Sequence, residues 1–163
     1  MRIYFPNRRR AFMSSPGPKN TIGYDTGTLT YALNSFNVWY RAYQLAVTNG
    51  HIITHLGCKG SNAGEIGLGL LDEAKVLQAK IAASHTGTGW EWFALDAPIT
   101  VDAAGWSVCM VIRSGSGFVC RSDTGSMYYQ LTASQSYADF TVGENFGADG
   151  GAGNPVMLGY GYN

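Results

Sequence analysis

The chain is short of the features that usually announce an active site or a membrane span. Charged residues make up 13% of its 163 positions. No apolar run approaches the roughly 18 residues that a spanning helix needs, so the reading is of a protein that does not cross a membrane. The three cysteines, Cys58, Cys109 and Cys120, leave one over after any pairing and form no CxxC, so neither a disulfide framework nor a cysteine-held zinc is the organising element. They read as small buried hydrophobes or idle surface thiols, and a single bridge between two strands in an oxidising compartment is allowed but not required. The basic start, Met1 to Arg10, has no apolar core preceding an Ala-x-Ala site, so no standard secretory signal is expected there. There is no GxSxG elbow, no GxxxxGK[ST] phosphate loop and no HExxH.

The residues that remain for chemistry are sparse. His51 and His55 lie four apart, which on a strand sets them on one face roughly 13 Å from each other, too far for one zinc. Asp72, Glu73, Asp96 and Asp102 sit beside turn signals, where oxygen ligands for a calcium are feasible, but no spacing matches an EF-hand loop. Glu65, Glu91 and Glu144 are the carboxylates to consider for glycoside hydrolysis. That chemistry needs two carboxyls about 5–9 Å apart across a cleft, and no local spacing supplies them. The expectation is therefore no enzyme activity, no metal and no cofactor.

Glycine is abundant instead, with 22 residues against an average near 7%, and it follows no collagen period. Many tight turns between short strands would use it. At 45% hydrophobic the chain can bury a core, and its length suits one domain. Leu29 to Val47 is rich in aromatic and β-branched residues with a break at Asn34-Ser35, and Arg41, Tyr43, Leu45 and Val47 share one side of a period of two. Asn49-Gly50 signals a tight turn into a strand from His51 to Gly57. In Glu65 to Leu71, Ile66, Leu68 and Leu70 alternate with Gly67 and Gly69, leaving one face open to a close neighbour. Asp72 to Lys75 reverses the chain and Val76 to Ala83 returns antiparallel, although the Leu70 to Ala83 composition also suits a helix. Further strands are expected over Trp90 to Leu95, Gly105 to Arg113, Gly117 to Ser122, Ser126 to Thr132, Ala138 to Val142 and Val156 to Tyr160. About eight short strands with glycine turns indicate an all-β antiparallel β-sandwich, jelly-roll-like in its strand spacing.

The domain boundary falls at residue 28. Residues 1–28 read as an extended N-terminal arm, broken by Ser14-Ser15-Pro16-Gly17-Pro18 and Asp25-Thr26-Gly27, and residues 29–163 as the sandwich. Tyr4, Phe5 and Phe12 are too apolar for a segment that prefers free solution, so the arm packs on something. Residues 1–60 hold seven basic groups and one acid, Asp25, whereas residues 61–163 hold four basic groups and ten acids. A basic arm carrying Arg8, Arg9 and Arg10 therefore faces an acidic body. That complementarity suits docking onto a neighbouring copy and argues against nucleic acid as the main ligand.

The order Tyr43-x-Leu45-x-Val47…Asn49-Gly50-x-Ile52, then Ile66-x-Leu68-x-Leu70-Leu71-Asp72-x-x-x-Val76-Leu77, then Gly89-Trp90-x-x-Phe93-x-Leu95-x-x-Pro98-Ile99-x-Val101-x-Ala103-Ala104-Gly105 resembles a broad class of β-sandwich modules. These occur in phage virion and tail proteins and in non-catalytic glycan-binding parts of secreted proteins. The likeness covers roughly residues 40–112. It implies a non-catalytic unit for assembly, surface attachment or glycan contact, with Phe93 and Leu95 pointing inward and Trp92 outward. Trp92 would then either pack under the arm or against the second sheet, or join Tyr128 or Tyr129 in an aromatic platform for a sugar ring or a partner. The first expectation is a virion structural protein, a capsid decoration or tail accessory, located in the virion and acting as a homo-oligomer with other virion proteins through its arm. The alternative is a non-catalytic carbohydrate-binding module, with a glycan as its partner.

Overall fold

A computed structural model describes residues 17–23, 31–34, 39–112, 119–122, 127–130, 141–145, 152–153 and 158–163. Among these described residues twelve strands follow in chain order: β1 (Asn20–Gly23), β2 (Tyr31–Asn34), β3 (Trp39–Ala46), β4 (Ile52–Gly60), β5 (Gly64–Leu71) and β6 (Leu77–His85), then β7 (Gly89–Thr100), β8 (Ser107–Ile112), β9 (Val119–Ser122), β10 (Met127–Gln130), β11 (Ala152–Gly153) and β12 (Leu158–Tyr162). They form two antiparallel sheets. One runs β1-β12-β4-β9-β2 with β7 also paired to β4, and the other runs β11-β10-β3-β8-β5-β6. The sheets pack as an antiparallel β-sandwich. Among the described residues no helix is long and apolar enough to cross a membrane.

Period-two alternation builds the core, because every second side chain of a strand faces the same way. From the first sheet come Ile53, Leu56, Cys58, Leu158 and Tyr160, and from the second Ile66, Leu68, Leu70, Val108 and Met110, all essentially without exposure. Phe93 and Leu95 pack against this cluster from β7, as the alternation predicts. Each such valine, leucine, isoleucine or methionine contributes about 1.5–3 kcal/mol through removal from water. In the second sheet Cys109 and Val111, which alternate with the core positions of β8, are also fully buried, so both faces of β8 are closed.

The turns follow their side-chain chemistry. Gly50 takes φ +85 in the Thr48–His51 turn, closed by the His51 amide donating to the Thr48 carbonyl at 3.2 Å. Between β5 and β6 the chain reverses at Asp72 to Lys75 rather than coiling on to Ala83. Asp72 explains why: Oδ1 accepts the Val76 amide at 2.9 Å and Oδ2 accepts Gln78 Nε2 at 2.6 Å. Side-chain acceptors of this kind stabilise a turn in place of the helix that the composition allows. Lys75 takes φ 66, and its ammonium donates to the Gly105 carbonyl at 3.3 Å.

β1 brings residues 20–23 into the first sheet, antiparallel to β12. The expected arm thus contributes a strand through its last described part. The boundary at residue 28 lies outside the described residues, as do Tyr4, Phe5, Arg8, Arg9, Arg10 and Phe12.

Leu68, fully buried between Ile81 on β6 and Met110 on β8, is the sharpest test of this packing. Leu68→Ala is expected to lower unfolding free energy by about 2–5 kcal/mol in urea titration. A loss below about 0.5 kcal/mol, the range of an ordinary surface change, would contradict a closed interior there.

Candidate functional site: the outer face of the first sheet

Four residues lie in one row across the first sheet. Trp92 on β7 is opposite Gly57 on β4, Gly57 is opposite Gly159 on β12, and Gly159 is opposite Gly23 on β1. The adjacent row, Phe93, Leu56, Tyr160 and Ile22, belongs to the core, so the glycine row faces away from it. The Trp92 indole occupies the space left by the missing side chains. A Cβ on Gly57 would stand 2.5 Å from Trp92 Cε3, and one on Gly159 would stand 2.8 Å from Trp92 Cη2. Trp90, two residues earlier on the same face, reaches Gly23, where a Cβ would stand 2.9 Å from its Cη2.

The two indoles stack on each other with centroids 5.3 Å apart and planes 8° from parallel. Such a pair is worth about 0.5–1.5 kcal/mol beyond its buried area. Both tryptophans are half-buried. The arrangement gives the outer face an aromatic strip seated on glycine.

Beside this strip the pairing is interrupted. Ile53 pairs with Ile99, and the next partner pair is His55 with Ala94, so β7 carries extra residues between Ala94 and Ile99. On the β12 side, Tyr162 pairs with Ile53 and Gly161 with His55, skipping Thr54. The resulting bulge opens a half-open cleft of about 310 Å³, whose lining includes Pro18, Lys19, Thr54, His55, Pro98 and Asn163. His55, 7% exposed, has Nδ1 2.9 Å from Thr54 Oγ1, and Thr54 donates its hydroxyl proton to the Gly161 carbonyl at 3.3 Å. With that proton committed, the His55 Nδ1–H is the donor to Thr54.

The bulge overturns the expected placement of His51 and His55 on one face. Ile53 and Leu56 are both core residues three positions apart, which strict alternation forbids. The extra residue shifts the phase, as bulges do. His55 accordingly shares the outer face with Gly57, whereas His51 lies at the core end. There it stacks on Tyr162 with centroids 3.9 Å apart and meets the Tyr160 hydroxyl at 3.4 Å.

The remaining candidates have structural surroundings. His85, 1% exposed, accepts the Gly87 amide at Nδ1 and lies 3.5 Å from Glu91 Oε1, which also accepts the Thr86 amide at 2.8 Å. These contacts close the turn between β6 and β7. Glu144 instead lies at the other end of β6, where its carbonyl accepts the Leu77 amide. The nine-residue length of β6 separates Glu91 from Glu144 by roughly 26 Å, far beyond the reach of paired glycosidase carboxylates. The Asp72 carboxylate is used by its own turn. Among the described residues no group of three or more His, Cys, Asp or Glu side chains is placed to hold a metal. Cys58 and Cys109 are buried as thiols.

Trp92 lies on β7 of the first sheet, whereas Tyr128 and Tyr129 lie on β10 of the second. The tyrosine side chains are outside the described residues. The partner placed beside Trp92 is Trp90. Their spacing of two on a strand was the available signal, and reading Trp90 only as part of a family pattern missed it. The fold and this face define an antiparallel β-sandwich with an aromatic strip and an adjoining cleft. No family model, curated protein or solved structure matches the chain.

Gly57→Ala is expected to cost about 1–3 kcal/mol, because the new methyl displaces Trp92. The same change in a Trp92→Ala background should cost measurably less, the remaining cost coming from the Glu91 carbonyl 2.9 Å from the new Cβ, measured as a double-mutant cycle by denaturant unfolding. Equal costs in both backgrounds would contradict the contact.

Proposed function

We propose that the protein is a non-enzymatic virion structural protein, a capsid decoration or tail accessory, that assembles as a homo-oligomer through its N-terminal arm. The observation that supports this reading most is the position of β1. It is a four-residue strand at the edge of the first sheet, mostly exposed, and among the described residues it pairs with β12 alone. The chain therefore enters the sandwich at a sheet edge, where a preceding segment can reach a second copy without crossing the core. The charge division supports the same reading, with Arg8, Arg9 and Arg10 guiding docking onto acidic surface such as Asp96, Asp102 and Glu144, all exposed.

A second reading, a non-catalytic carbohydrate-binding module, is supported by the Trp90 and Trp92 stack. Aromatic side chains held rigidly on a sheet suit the C–H face of a sugar ring.

Light scattering of the full chain is expected to give a trimer or larger assembly. Removal of residues 1–16, which leaves β1 in place, should give a monomer with an unchanged circular dichroism spectrum. A full chain that stays monomeric over a hundredfold concentration range, or an oligomer that survives the truncation, would overturn the assembly reading.

A further inference from the structure

We infer that the cleft at the β4 and β7 bulge is a saccharide subsite, taking one sugar residue of a chain whose neighbouring residue lies on the Trp90 and Trp92 strip. The inference rests on the carbohydrate-binding reading and is independent of oligomeric assembly.

The walls are largely apolar, with Pro18, Ala94, Leu95 and Pro98 among them, and the few polar groups are fixed. His55 and Thr54 are joined to each other and to the Gly161 carbonyl, so neither side chain has to be ordered when a ligand arrives. Asn163 is tied down through its backbone amide, which donates to the Ile52 carbonyl at 3.0 Å. Its side chain supplies a donor and an acceptor together, the pattern that adjacent sugar hydroxyls complement. Pro18 and Pro98 line the same cleft and offer apolar surface for ring C–H groups.

The volume of about 310 Å³ suits one ring rather than a larger ligand, and the half-open shape lets a chain continue out of it. That continuation has a place to go. Ala94 lines the cleft and Trp92 is the preceding same-face residue of β7, roughly 7 Å away along the strand. A nucleotide or other phosphate ligand fits poorly, because Lys19 is the single cation in the lining. A purely apolar ligand fits poorly for the opposite reason. It would strip water from the Asn163 side chain without replacing its hydrogen bonds.

The test is an amide-resolved NMR titration of the full chain with methyl glycosides of glucose, galactose, mannose and N-acetylglucosamine, and with cellobiose and maltose. The expected result is saturable shifts at Lys19, His55, Ala94 and Asn163 with at least one probe, and larger shifts at the Trp90 and Trp92 indole N–H groups with a disaccharide. Asn163→Ala and the cleft-filling Pro98→Trp should each weaken binding about tenfold or more, and Lys19→Ala provides an exposed-site variant should either fail to fold. Shifts confined to the indoles, with the cleft amides silent, would overturn the subsite while leaving the carbohydrate reading standing. Silence everywhere would overturn both.

Discussion

The contact between the Trp92 indole and the hydrogen-only positions Gly57 and Gly159 governs the first sheet. A strand that buries one face in a sandwich core ordinarily leaves the other to polar side chains and water. Here three neighbouring strands give up their side chains along one row, and an aromatic ring fills the space. Adding one methyl to either glycine would force the ring away. Gly159 is further limited because the Ile22 carbonyl would stand 2.8 Å from its Cβ, so β1 and Trp92 converge on the same spot. The seating of the tryptophans and the attachment of the first strand therefore depend on the same residue.

The bulge beside this row sets the shape of the face. Without it, β4 would continue its alternation, His51 and His55 would share a side, and β7 would lie flat against β4. The extra residues of β7 carry Asp96 and Pro98 at exposed positions. A charge, a proline and a bulge on an outlying strand also discourage indiscriminate strand addition at that edge. The edge strand β1 lacks those features, and it is the edge from which the proposed assembly proceeds.

Much of the fold was legible in the sequence, because its strands alternate cleanly. Ile66, Leu68 and Leu70 against Gly67 and Gly69 marked β5, and Asn49-Gly50 and Asp72 to Lys75 marked turns that lie where expected. The helix rival over Leu70 to Ala83 failed because Asp72 binds the Val76 amide and Gln78, a contact that residue-by-residue propensity does not weigh. The bulge at Thr54 was not legible, since it arises from a mismatch between β4 and two partners distant in sequence. The site suffered more for the same reason. Trp92 was visible as an outward residue, but its seat consists of single glycines at 57 and 159, about a hundred positions apart, and nothing local to either shows what fills the space beside it. Only the cross-strand register turns those absences into a socket.

Ring-current shifts provide the most direct measure of that socket, because an aromatic ring within van der Waals distance moves the resonance of a proton facing it. In the ¹H spectrum of the folded protein, one Hα of Gly57 and one of Gly159 should be displaced from their random-coil positions and show strong cross-relaxation to the Trp92 ring protons. Both displacements should vanish in Trp92→Leu. Unshifted glycine Hα resonances without ring cross-peaks, in a protein whose strand pairing is otherwise intact, would contradict the account.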